Sequence, residues 1–311
     1  MPESVGAGTG PSRPAQADAR TATRKRRWRR IKWSVRLVVV LLVIGYLKFV
    51  GLDGKFYYPN TEVYGQPEDF GLTHEDVSFQ TSDGLTLHGW FLPAVGEPHG
   101  TVVHFHGNAA NITAHIGLIE WLPRLGYHVL MFDYRGFGQS PGRVTRAGTI
   151  RDGHAAVDYA LSRPETRGRP LFVYGQSLGG AVAIVVAAQR PEIRAVVAES
   201  PFSTHRRIAA CHARRLVHFD WLAQWLATVT ISAGDDPLDV VAQIAPRPLL
   251  IIAAEKDEIC FPELARELYA AAAQPKSFWL VPGVRHLEVA QDARPELSTR
   301  VLDFLANASG D

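Results

Sequence analysis

The sequence predicts an α/β domain whose mostly parallel central sheet is covered by helices on both faces, with a short helical cap inserted late in the chain. Three observations carry this expectation. Strand-like apolar runs alternate with helix-like stretches over most of the 311 residues, as parallel strands joined by crossover helices require. Those runs, Thr101 to Phe105 and His128 to Phe132 among them, are continuously apolar, the mark of strands buried on both faces. A third run, Leu171 to Tyr174, meets Gly175-Gln176-Ser177-Leu178-Gly179-Gly180 and then a stretch of small and β-branched residues, Ala181 to Ala188. That order reads as strand, tight turn, helix, the setting of a nucleophile elbow.

The N-terminus stands apart from this domain. Its first twenty-odd residues are rich in Gly, Pro, Ala, Ser and Thr and cannot bury enough surface to offset the entropy of ordering. Residues 1–32 are therefore expected to be a disordered basic tail. Residues 1–36 hold ten of the 33 Lys and Arg but only two of the 31 Asp and Glu, which leaves the rest of the chain near −6 although the whole is +2. A mildly acidic domain argues against a nucleic-acid surface on its folded part, and the basic run is read as charge flanking a membrane segment, with a nucleic-acid or nuclear-localisation role for that run as the alternative. It abuts the uninterrupted apolar run Leu37 to Leu47, short for a span by itself. With Arg36 and Lys48 snorkelling and Trp33 at an interface, residues 33–52 reach the length of a transmembrane signal anchor. A cleaved signal peptide fits the apolar length, but no small-residue cleavage site follows. The expectation is a single-pass protein with a cytoplasmic N-terminus and an extracytoplasmic domain.

Residues 53–70 are read as an extended linker and 71–308 as the domain. Val77 to Thr81 and Leu85 to Phe91 alternate around Ser82-Asp83-Gly84, a hairpin signal. Then come strand 101–105, helix 112–125, strand 128–132, helix 148–161, the elbow, strand 195–198, strand 248–253, helix 262–273, strand 277–281 and a helix from about 295 to 306. The rhythm breaks over about 204–238. There His205 to Ala227 forms one long stretch with a broad apolar face, including Trp221 and Trp225, placed where a cap would be inserted. It is either such a cap or an ordinary packing helix. Only Cys211 and Cys260 are present, too few for a disulfide scaffold or a structural zinc site.

The candidate chemistry follows from the order of the motifs. A serine nucleophile needs a base, an orienting acid and an oxyanion site, and after this kind of elbow the chain order is Ser, acid, His. Ser177 is the candidate nucleophile. Asp257, after strand 248–253, is the candidate acid, with Glu255 and Glu258 as close alternatives. His286, after strand 277–281, is the candidate base. Each lies at the carboxyl end of a strand, where parallel sheets build their sites. The oxyanion amides are expected from Leu178, at the start of the helix after Ser177, and from Asn108 in the turn after strand 101–105. His104 and His106 share a strand face but lack a third ligand nearby, so both are read as packing groups and no metal is expected. The Asp133-to-Gly142 loop fails the phosphate-binding spacings and reads as a turn fixed by Asp133 and Arg135.

Taken together, His106-Gly107-Asn108-Ala109-Ala110-Asn111, Asp133-Tyr134-Arg135-Gly136-Phe137-Gly138-x-Ser140, Gly175-x-Ser177-x-Gly179-Gly180, Glu199-Ser200-Pro201-Phe202 and Asp257…His286 resemble the α/β-hydrolase superfamily. More narrowly, they resemble its serine hydrolases with one N-terminal membrane anchor, a group that includes acyl-protein thioesterase-like members. The resemblance covers about Phe56 to the end. It implies Ser177 as nucleophile, Asp257 as acid, His286 as base, no cofactor, and a small-molecule or acyl/lipid substrate. Two departures fall on the acid loop: Ala253-Ala254 stands where the family commonly has His-Gly, and Cys260-Phe261 replaces a Val-Pro type pair. The expected activity is hydrolysis of carboxylic esters or thioesters. The alternatives are a serine peptidase or amidase, or a non-catalytic membrane-anchored scaffold that keeps the fold.

Overall fold

The computed structural model describes residues 26–36, 38–42, 45–46 and 53–309. Contacts divide the chain between residues 50 and 51 into two units. In the first, residues 26–36 form helix α1, and 38–42 and 45–46 are also helical. Residues 26–32, expected to belong to the disordered tail, are thus helical; the Gly and Pro that break helices end earlier in the tail, and Arg, Lys, Trp and Ile tolerate a helix. Residues 1–25 of that tail, and 37, 43–44 and 47–52 of the expected span, lie outside the described residues. Among the described residues no helix is long and apolar enough to cross a membrane.

The second unit is built on an eight-stranded sheet in the order β10-β9-β8-β7-β4-β6-β3-β2. Its strands are β2 (Glu75–Gln80), β3 (Thr86–Leu92), β4 (Gly100–Phe105), β6 (Tyr127–Phe132), β7 (Leu171–Gln176), β8 (Ile193–Glu199), β9 (Leu249–Ala254) and β10 (Lys276–Val281). The expected hairpin is β2–β3, antiparallel, with β3 antiparallel to β6 and every other pair parallel. Because successive side chains alternate across a strand, the apolar run of β7 feeds both faces. Leu171 and Val173 pack in the layer with Phe105, Phe132 and Ile184, whereas Phe172 and Tyr174 pack in the other with Trp121, Leu250 and Leu305. This is why the run carries no period-2 polarity.

Three elements differ from their sequence reading. The expected helix over 112–125 breaks at Glu120 into α2 (Ile112–Ile119) and α3 (Trp121–Arg124), because Pro123 has no N–H to give the carbonyl of Ile119, whereas the one expected over 148–161 is continuous as α4 (Arg146–Ser162). The long stretch expected as either a cap or a packing helix is two helices, α6 (His205–Val217) and α7 (Asp220–Thr230), separated by His218 in the left-handed conformation at φ 55°. The supposed linker, 53–70, is part of the folded unit. Its strand β1 (Tyr58–Pro59) pairs in parallel with β5 (Ala109–Ala110), Asn108 Nδ2 donates to the Phe56 carbonyl at 3.1 Å, and Asn111 Nδ2 donates to Glu62 O at 2.8 Å. Asparagine side chains some fifty residues away hold this segment, so no local pattern could announce it.

Candidate active site

The site is assembled at the carboxyl ends of β7, β9 and β10. At the end of β7 the backbone turns sharply: Ser177 has φ 56° and ψ −120°, a conformation that costs a non-glycine residue and persists only where the surroundings impose it. They do so here from both sides. The Ser177 amide donates to the Glu199 carbonyl of β8 at 2.8 Å, and helix α5 (Leu178–Gln189) begins at the next residue. The turn is close-packed as well. A Cβ on Gly179 would collide with the carbonyl oxygens of Phe105 and His106, and one on Gly175 would collide with Gly179 itself, so only glycine lets strand and helix approach this closely.

His286 follows β10 and reaches back over this turn. Its Nε2 is 3.0 Å from Ser177 Oγ and its Nδ1 is 2.7 Å from Asp257 Oδ2. A carboxylate only accepts, so Nδ1 carries the proton and donates to Asp257, leaving Nε2 to accept from the serine hydroxyl. Asp257 is held by its own loop: Oδ1 accepts from the amides of Ile259 at 2.9 Å and Cys260 at 2.8 Å. The two alternatives point elsewhere. Glu255 accepts from the Gly283 amide at 2.8 Å, and Glu258 lies 3.8 Å from Arg215. The structure thus brings Ser177, Asp257 and His286 into one hydrogen-bonded line.

Leu178 and Asn108 border the same cavity as Ser177. Leu178 is the first residue of α5, where amides have no intrahelical acceptor and the helix dipole is positive. The cavity measures about 370 Å³ and is walled mainly by apolar side chains, Phe56, Phe202, Ile208, Ile231 and Ile259 among them, with His212 at one side. Sequence reasoning missed two of its walls. Phe56 and Tyr58 come from the supposed linker, and Cys260, whose Sγ is 3.6 Å from Ser177 Oγ, comes from the acid loop. The Cys260-Phe261 departure was the only available signal for the latter. Full burial pushes the Cys260 thiol well above its ordinary value, so it packs as a neutral group. Cys211 and Cys260 are both free thiols.

Beneath the elbow runs a buried polar chain. Glu199 Oε2 accepts from Tyr174 OH at 2.7 Å and from Gln176 Nε2 at 2.8 Å, and His104 Nε2 donates to Gln176 Oε1 at 3.0 Å. Burial raises the Glu199 carboxyl above the usual carboxylate range. His104 is neutral, its pKa brought from 6.5 to about 3 by burial and then by the neighbouring His115. His106 Nδ1 bonds the Gly107 carbonyl at 2.8 Å, so the histidine pair packs and shapes this turn. In the loop after β6, Asp133 Oδ1 accepts from the Ile112 amide at 2.9 Å, and Arg135 forks between Asp83 and Asp152. Both residues hold the loop, as their positions implied.

One stability expectation arises from His104. The unfolded chain protonates it near pH 6.5 and the folded one only near 3, so its contribution is fully present above pH 6.5 and is lost as pH falls toward 3. The slope over that window is about 1.4 kcal/mol per pH unit for one proton. His104→Gln keeps a donor for Gln176 and removes the titration. Urea unfolding midpoints measured from about pH 7 down to about pH 4 should therefore fall less steeply in the variant, by about one proton's worth of slope.

Comparison with known proteins bears on the fold and the family. A family model described as "Serine aminopeptidase, S33" matches residues 96–233. The uncharacterized protein YfhR of Escherichia coli K12 is 32% identical over 260 residues, covering 81% of this chain and 87% of that protein. An Arabidopsis thaliana protein, the α/β hydrolase domain-containing WAV2, is 30% identical over 217 residues, covering 67% of this chain and 69% of its own. The chain belongs to the α/β-hydrolase superfamily. Its fold is that of this superfamily: an esterase structure from Pyrococcus furiosus superposes with a TM-score of 0.69 at 26% identity, covering 82% of this chain and 98% of the esterase. As an α/β-hydrolase the chain is a hydrolase.

Proposed function

We propose that this α/β-hydrolase is a serine hydrolase cleaving carboxylic esters or thioesters. The observation that carries the reading is the hydrogen-bonded line from Ser177 Oγ through His286 to Asp257, at 3.0 and 2.7 Å. His286 Nε2 removes the hydroxyl proton as Ser177 Oγ attacks the carbonyl carbon, and the amides of Leu178 and Asn108 receive the oxyanion. The imidazolium, steadied by Asp257, returns its proton to the departing alkoxide or thiolate as the carbonyl–heteroatom bond breaks, leaving an acyl group on Ser177. Water, deprotonated by His286, attacks that acyl carbon; the acid leaves and Ser177 recovers its proton.

The apolar cavity beside Ser177 supports an acyl or alkyl group as the recognised part of the substrate. About 370 Å³ holds on the order of a dozen water-sized groups at ~30 Å³ each. In a series of nitrophenyl esters, kcat/KM should rise by up to about fourfold per added CH₂ until the cavity is filled, since each buried CH₂ contributes about 0.8 kcal/mol, and then level off. Matched thioesters and amino-acid amides complete the panel. The family match described as a serine aminopeptidase favours amide cleavage as the second reading. Amides turned over faster than esters of equal size would replace the ester proposal with that one, and absence of turnover on all three would favour the scaffold alternative.

Attachment to a membrane through residues 33–52, with the domain on the extracytoplasmic side, is also proposed, on the strength of the basic-then-apolar sequence alone. Fractionation of the full chain against a chain lacking residues 1–52, with protease accessibility in intact cells, tests both parts.

A further inference from the structure

The tip of the cap presents an apolar patch that the proposed chemistry does not use. From the last turn of α6 into the first of α7 the chain reads Arg214-Arg215-Leu216-Val217-His218-Phe219-Asp220-Trp221. Leu216, Phe219 and Trp221 are 82%, 59% and 70% exposed, and Trp225, one turn beyond Trp221, is 41% exposed. The fully buried positions of α7 are the small residues Ala223 and Ala227, with Leu222 and Leu226 half-buried beside them. A water-facing hairpin would place its large apolar side chains inside and polar ones outside. Here alanines take the fully buried positions while Leu216, Phe219 and both tryptophans face out, the pattern of an interaction surface.

Charge selects the occupant. Residues 205–230 hold Arg206, Arg207, Arg214 and Arg215 against one acid of their own, Asp220; Arg207 also meets Glu267, and Arg214 and Arg215 stand 3.6 and 3.8 Å from Asp220 and Glu258, which leaves these four arginines one positive charge ahead of the three acids they meet, on a domain that is otherwise acidic. A second copy meeting this patch about a two-fold axis would bring the same arginines face to face. An anionic lipid surface is complementary to it: tryptophan and phenylalanine settle at headgroup depth, and arginines reach phosphates from the same segment. The patch also adjoins the cavity. Arg215 lies over the Phe261 ring at 5.0 Å, and His212 Nε2 donates to the Ile259 carbonyl at 3.0 Å. Ile259, half exposed, lines the cavity beside Ser177.

The geometry points to the cap tip, Leu216 to Trp221 with its flanking arginines, as a contact for an anionic bilayer surface, which would set the cavity mouth at the lipid interface. This goes beyond the hydrolytic reading and is independent of it. It also differs from attachment through residues 33–52, because it assigns a second contact to the folded domain.

Hydrogen–deuterium exchange of the full chain tests it, with no vesicles, with phosphatidylcholine vesicles, and with vesicles of phosphatidylcholine and phosphatidylglycerol. Because the readout is local, recruitment through the N-terminus does not mask the result. Exchange at residues 214–222 should slow about tenfold on the anionic vesicles when accessible lipid is about ten times its Kd, and little on phosphatidylcholine alone. A Leu216→Ser/Phe219→Ser/Trp221→Ser protein, its unfolding midpoint checked in parallel, should lose that protection. Unchanged exchange at 214–222 while the chain is vesicle-bound would overturn the proposal. So would equal protection on both vesicle types, or protection that appears without lipid and grows with protein concentration. None of these outcomes bears on Ser177, so failure here and failure of the hydrolase reading are distinguishable.

Discussion

A Ser177→Ala protein is expected to lose about six orders of magnitude in kcat for ester hydrolysis, about 8 kcal/mol of transition-state stabilisation. The change removes the only atom that the proposed mechanism bonds to substrate. Alanine at φ 56° is as strained as serine, and what leaves the fold is the hydrogen bond to His286 and the weak one with Cys260 Sγ; stability should therefore change by no more than about 1 kcal/mol. Labelling by a fluorophosphonate probe, lost in the variant and present in the parent, gives the same answer without a chosen substrate. Esterase activity in Ser177→Ala within tenfold of the parent would sink the serine mechanism.

Asp257→Asn should cost about 10⁴ in kcat, and the structure gives a reason particular to this loop. The amides of Ile259 and Cys260 both donate to Oδ1, so the asparagine oxygen stays with them and its NH₂ turns toward His286. That group donates, so Nδ1 must accept, and the imidazole proton moves to Nε2, facing Ser177. The base is then a donor where it has to be an acceptor. Steady-state kinetics with unfolding as a control tests this. A loss below tenfold would mean that Asp257 is not the acid, and Glu199, the buried carboxyl at the end of β8, would be the next residue to replace.

The parts of this molecule that sequence made legible are those whose cause is local. Leu171 to Tyr174 announces a strand because both of its faces are buried, and the Gly-x-Ser-x-Gly turn announces itself because steric contact with Phe105 and His106 tolerates no Cβ at Gly179. Asp257 was legible only as one of three acids in four residues. What separates it from Glu255 and Glu258 is the direction of two backbone amides and the position of His286, which are tertiary facts. The break at His218 was hidden because no glycine or proline marks it. Nor did Phe56 to Asn60 look like domain, because their partners, Asn108 and Asn111, lie about fifty residues downstream and act through side-chain amides.

That last segment has a practical consequence. Phe56 and Tyr58 form a wall of the cavity beside Ser177, and they are tied to Asn108, whose amide is assigned to the oxyanion. A recombinant hydrolase trimmed to the boundary that the sequence suggests, near Gly71, would keep every strand of the large sheet and all three residues of the Ser-His-Asp line. It would nonetheless be a damaged enzyme, open on one side and with a loosened oxyanion loop. For this chain the safe place to cut lies upstream of Asp53, and kinetic studies of a shorter form would measure the truncation and not the protein.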